Sequence, residues 1–99
     1  HHSRNRLMRI EMAIPKESAE KIALEALGFI AADDTELGRF LGLSGLSIDR
    51  LRDTAGTTPT LLAVLDYVMG HEPTARAFAQ SQGYTPEDLA WAAHHLASA

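Results

Sequence analysis

The segment from Thr85 to His95 gathers most of the side chains in this sequence that could do chemistry: two carboxylates, Glu87 and Asp88, the indole of Trp91, and two imidazoles, His94 and His95. Imidazoles beside carboxylates are the raw material of a metal site or an acid–base pair. Adjacent histidines, however, project about 100° apart on a helix, whereas a metal gripped from one helical face needs them at i and i+4. Adding Glu87 or Asp88 leaves the ligand set incomplete, and a solvated polar face accounts for the same residues. His71 follows Gly70 in a turn, where an imidazole reads as a partner for a helix end. No nucleophile stands beside a base, and no glycine-rich loop follows a strand. The expectation is a protein that is not an enzyme and that has no cofactor and no metal.

Trp91 suggests a different role. Leu89, Ala92, Ala93 and Leu96 have the i, i+3, i+4, i+7 spacing of a core-facing stripe. At 100° per residue Trp91 falls about 160° to 200° from Leu89, on the side shared with Glu87, His94 and His95. A tryptophan on an outer helical face is a candidate interface anchor. Two covers are open to it: a partner protein or second copy of the chain, or the apolar N-terminal residues Leu7, Met8, Ile10, Met12 and Ile14 folding back.

The elements that would position these residues are all helices. A stripe of Ala19, Ile22, Ala23, Ala26 and Ile30, widened by Leu24, Leu27 and Phe29, predicts a first helix from about Pro15 to Ala32. Asp33 with Glu36 has the spacing of a capping box and opens a second helix, through Leu37, Phe40 and Leu41 to about Ser44. A short third helix spans Ile48 to Ala55. Thr58 is expected to cap a fourth, with Pro59 in its first turn and Leu61, Leu62, Val64, Leu65, Val68 and Met69 marking the most buried element. Gly70 ends it. Pro73 opens a fifth helix reaching about Gln82, and Pro86 a sixth. No alternating β-branched segment competes, so the fold class is all-α, a compact bundle of about six short helices.

Two joints in this chain echo one another. "GLSIDRLRDTA" from Gly45 and "GYTPEDLAWAA" from Gly83 lie 38 positions apart, and the same shift pairs Leu27 with Leu65, Phe29 with Tyr67, Ile30 with Val68 and Phe40 with Phe78. Each joint has a glycine able to end a helix in the left-handed conformation and a hydroxyl, Ser47 or Thr85, able to cap the next. Leu46 with Leu51, and Tyr84 with Leu89, have the spacing of a hydrophobic staple. Two pseudo-repeated three-helix units sharing one core, with the first and fourth helices central, are one reading. Chance similarity between helical segments is the other.

Composition narrows the function. The chain has 99 residues, no cysteine, 45% apolar residues and a net charge of -4. The opening His-His-Ser reads as a tag remnant, so residues 1–14 are taken as tag and N-terminal segment and residues 15–99 as one helical domain. A soluble cytoplasmic protein is expected, with no signal peptide and no apolar run long enough for a bilayer. Three arginines, Arg4, Arg6 and Arg9, precede residue 10; the rest of the chain sets six basic residues against thirteen acidic ones. The corner from Phe40 to Leu51 approximates a helix-turn-helix, and a regulator that binds nucleic acid is the alternative function. Arg50 and Arg52 are nevertheless offset by Asp49 and Asp53, and the sixth helix has no Lys or Arg, so phosphate contacts are too few and nucleic acid is an unfavoured partner.

The runs "LEALGFIAADDTELGRFLGLSGLSIDRLR" and "LLAVLDYVMGHEPTARAFAQSQGYTPEDL" resemble an uncharacterised alphaproteobacterial family, domain-of-unknown-function family 3572, with "GRFLGLSGL" the most specific piece. The resemblance implies an all-helical bacterial protein and brings no activity or catalytic residue with it. The expected function is therefore a small non-catalytic helical protein acting through protein–protein interaction with an unknown partner or as a homodimer, with Trp91, Glu87, His94 and His95 as its candidate face.

Overall fold

The computed structural model describes residues 15 to 98. Six helices follow in order: α1 (Pro15–Ala31), α2 (Asp34–Ser44), α3 (Ile48–Thr54), α4 (Thr58–Met69), α5 (Glu72–Gln82) and α6 (Pro86–Ser98), with no strand among the described residues. The chain is all-α, and the observed helix ends lie within about two residues of those expected from capping and periodicity. No helix among the described residues is long and apolar enough to cross a membrane.

One core serves all six helices. The α1 stripe of Ala19, Ile22, Ala23, Ala26 and Ile30 is buried, as are Leu61, Val64, Leu65, Tyr67 and Val68 of α4 and Leu89, Ala92 and Leu96 of α6. These three helices pack against one another, α6 lying along both α1 and α4. Helices α2, α3 and α5 each send in one large apolar anchor: Phe40, Leu51 and Phe78. Leu24 and Met69 do not join the core, remaining 46% and 37% exposed. Leu24 is two residues from Ile22, hence on nearly the opposite side of α1, and Met69 sits on the last turn of α4, where little packs over it.

The two joints are built as their sequences indicate. Gly45 and Gly83 both adopt φ of 76°, the left-handed conformation, and their N–H groups bond to the carbonyls of Leu41 and Ala79. Ser47 accepts a hydrogen bond from the Arg50 N–H. Thr85 accepts one from the Asp88 N–H, while Asp88 accepts one from the Thr85 N–H, a reciprocal capping box. Two other expectations are corrected. Thr57, not Thr58, is the N-cap of α4, and its hydroxyl bonds to the Thr54 carbonyl and to Thr60 instead of capping. Asp33 does cap α2 by accepting from the N–H groups of Thr35 and Glu36, but Glu36 does not reach back to complete a box. Its side chain turns inward.

The shift of 38 positions is kept in the helix boundaries but not in the packing, since α6 lies along α1 and α4 while its counterpart α3 makes no comparable contact. It carries the last residue of α1 onto that of α4, both ends of α2 onto those of α5, and the start of α3 onto that of α6. The aromatic contacts cross between units: Phe29 of α1 meets Phe78 of α5 edge-on at 5.6 Å, and Tyr67 of α4 meets Phe40 of α2 edge-on at 5.6 Å. The shift pairs Phe29 with Tyr67 and Phe40 with Phe78, so these two ring contacts correspond locally even though the surrounding helices do not.

Candidate functional site

On α6 the inward stripe is Leu89, Ala92 and Leu96, and Trp91 is off it, but its indole is not a wholly outer group. It is half-buried and packed against the margin of the core. Its ring lies against His95 at a tilt of 48°, centroids 4.4 Å apart, and His95 in turn meets His94 edge-on at 5.3 Å. Glu87 and His94 are exposed. The four nominated residues thus divide into a ladder of three rings and one carboxylate in the first turn of α6, where the helix dipole favours negative charge. The proposed covering of Trp91 by the N-terminal apolar residues falls outside the described residues.

The structure assembles a second cluster from α2, α4 and α5. The Tyr67 hydroxyl donates to Glu36 Oε1 at 2.5 Å, and the Thr74 hydroxyl lies 3.0 Å and 2.8 Å from the two carboxylate oxygens. Arg39, one turn along α2, approaches both Glu36 and the Tyr67 hydroxyl at 3.5 Å. Burial raises the Tyr67 phenol above its ordinary 10.0, and the hydrogen bond to Glu36 pushes the same way, against the opposing influence of Arg39. The two hydroxyls satisfy the carboxylate internally, so the cluster reads as a fastening between α2, α4 and α5. The Tyr67 ring also stacks on His71, whose Nδ1–H donates to the Tyr67 carbonyl at 2.8 Å; His71 closes the C-terminal end of α4, the helix-end role expected of it.

Beside this fastening lies an open groove of about 320 Å³ between α2 and α4, walled by Phe40 and Leu43 on one side and by Ala63, Asp66, Tyr67 and His71 on the other. Leu43, at 66% exposed, stands at its rim. Ile48, at 40%, lies just beyond the Gly45 joint on α3. A larger groove of about 530 Å³ runs where α4, α5 and the start of α6 meet, floored by Met69, Ala75, Ala79 and Leu89, with the Glu72–Arg76 ion pair on its rim.

Sequence reasoning nominated the α6 face and missed both Glu36's inward turn and the α2–α4 groove. The signal for the groove was nevertheless present, because the shift of 38 aligns Leu43 with Ser81 and Ala63 with Glu25, apolar residues replacing polar ones on an otherwise matching frame.

A family model described as "Protein of unknown function (DUF3572)" matches residues 16–99. No curated protein and no solved structure matches the chain.

Proposed function

The chain belongs to the DUF3572 family, whose function is not known, and from that premise we propose that it is a small non-catalytic helical protein that acts by binding another protein in the bacterial cytoplasm. The observation that carries the reading is the apolar corner at the α2–α3 joint. Leu43 and Ile48 are the first exposed aliphatic residues on either side of Gly45, and Leu43 borders an open groove with aromatic walls. Single exposed leucines are ordinary; an exposed leucine on the rim of a groove, with an exposed isoleucine across the following joint, is an arrangement that recognition surfaces use. The polar cluster nearby supports a binding role over a catalytic one, since Glu36 is engaged by Tyr67 and Thr74 and is not presented to a substrate. Helix α3 exposes Asp49 and Asp53 together with Arg50 and Arg52, a balance that favours a protein partner over a phosphate backbone. A cysteine-free chain suits a reducing compartment.

The test is affinity capture from source cells with wild type, Leu43→Glu and Trp91→Ala in parallel, each checked for helicity. A partner retained by wild type and lost with Leu43→Glu is the expected result. Loss only with Trp91→Ala moves the surface to α6, and absence of any specific partner overturns the reading.

A further inference from the structure

Helix α3 is the least anchored element of the fold. It has seven residues, of which Leu51 alone is buried, while Ile48, Asp49, Arg50, Arg52 and Asp53 are exposed. Among the described residues it has no extended packing against any other helix, whereas α1, α4 and α6 lie along one another and α2 and α5 each pack on α4. No ion pair ties it down there either, since the two charged pairs lie within α2 and within α5. Two contacts hold α3 in place. The first is Leu51, whose side chain belongs to the common core. The second is Thr54, at the other end of the helix. Its hydroxyl donates to the Arg50 carbonyl at 2.8 Å and accepts from the buried Thr60 hydroxyl of α4 at 3.0 Å, while its carbonyl accepts from the Thr57 N–H at 2.9 Å. A glycine stands on each side. Gly45 is in the left-handed conformation, and nothing lies within 4 Å of where a Cβ would stand at Gly45 or at Gly56. Leu46, packed against the core, keeps the α2 end of the joint in position.

From these contacts we infer that residues 47–56 form a strap that opens as a unit, releasing Leu51 and melting α3, while the other five helices stay folded. A segment with one buried apolar side chain and few tertiary contacts lies at the low end of the range of local stabilities within a fold. Two turns of helix do not persist without tertiary support, so detachment and melting are one event. The hydroxyls of Thr54 and Thr60 make the polar half of the fastening and Leu51 the apolar half; both let go together because they sit three residues apart on the same short element. Opening adds Leu51 and the seat it leaves to a corner that already exposes Leu43 and Ile48 on the two sides of Gly45. The strap thereby sets how much apolar surface this corner presents. It is a property of the free chain and does not require the protein-binding reading above.

Native-state hydrogen exchange on the purified full chain tests the strap, with limited trypsin digestion alongside. The α3 amides, among them that of Leu51, bonded to the Ser47 carbonyl at 2.9 Å, should exchange at least about a hundredfold faster than those of α1 and α4. Their rates should depend little on dilute urea, because opening exposes little surface, whereas the α4 rates should rise steeply. Trypsin should cut after Arg50 and Arg52 before it cuts after Lys21 in α1, Arg39 in α2 or Arg76 in α5. Leu51→Ala should speed the α3 cleavage at least about tenfold and leave the α1 and α4 amides protected. Thr54→Val, which removes the hydroxyl that meets Thr60, should act in the same direction by a smaller factor. The inference is overturned if α3 and α4 amides share one rate and one urea dependence, or if trypsin cuts the other helices as early as α3. It is equally overturned if Leu51→Ala strips protection from α1 and α4 together with α3, because the five remaining helices then do not stand without the strap.

Discussion

Replacing Glu36 by alanine should destabilise the protein far more than its place in an exposed first turn suggests. Two hydroxyls depend on it: that of Tyr67, a residue 6% exposed, and that of Thr74, 2% exposed. A buried hydroxyl left without a partner costs about 1 to 3 kcal/mol. Some of that is recovered because the Glu36 side chain is itself 18% exposed, so water can enter the space it vacates. The expected loss is about 2 to 4 kcal/mol. Asp33→Ala, by contrast, removes a solvent-exposed cap and should cost about 1 kcal/mol. Urea unfolding followed by circular dichroism measures both, and for a chain of this size the Glu36→Ala midpoint should fall by about 2 M. Glu36→Gln, which keeps one acceptor oxygen, should lie between wild type and alanine. Tyr67→Phe should cost less on the Glu36→Ala background than on wild type, with a coupling of about 1 to 2 kcal/mol. If Glu36→Ala costs no more than Asp33→Ala, or if the two substitutions at Glu36 and Tyr67 add independently, the fastening contributes nothing and Glu36 is an ordinary first-turn carboxylate.

Gly45→Ala should destabilise by about 1 to 2 kcal/mol because the left-handed φ disfavours a Cβ even though open space surrounds it, whereas Gly38→Ala, inside α2 with equally open space, should stabilise by up to about 1 kcal/mol; thermal melts of the pair read the opposite signs. The raised Tyr67 value fixes an alkaline dependence: a phenol harder to ionise in the folded than in the unfolded chain contributes stability that is complete below pH 10.0 and is lost as pH rises through the folded value. Urea midpoints measured between pH 8 and 11 should therefore fall at the upper end, and Tyr67→Phe should flatten that fall.

What was legible in the sequence was local. Gly45 and Gly83, Ser47 and Thr85, and the staples around them act over four or five residues, so their types alone specify the joints. The α1 stripe was legible for the same reason, apart from Leu24. Glu36 was misread because Asp33 and Glu36 fit a local motif, and only Tyr67 and Thr74, 31 and 38 residues away, turn its carboxylate inward. Trp91 was placed correctly off the main stripe, but a side chain that long reaches the margin of the core from an angle that helical geometry alone calls outer. The groove depends on Leu43 of α2 and Ala63 of α4 coming together across two helices, a long-range pairing that helical periodicity does not weigh.

The contact between Glu36 and Thr74 bears on how two alike halves can share one chain. Glu36 and Thr74 are related by the 38-position shift and touch each other, so at this point each half faces its own counterpart. Whatever residue one half places there, a perfect copy would place opposite itself. Two glutamates would then set carboxylates in mutual repulsion, forced to share a proton; two threonines would leave both tyrosine-side donors without a charged acceptor. One acid facing one alcohol resolves the conflict, and it requires that the halves differ at this point. Where counterpart positions meet, identical residues would therefore cost stability, and a version of this sequence with both halves made alike would be strained there.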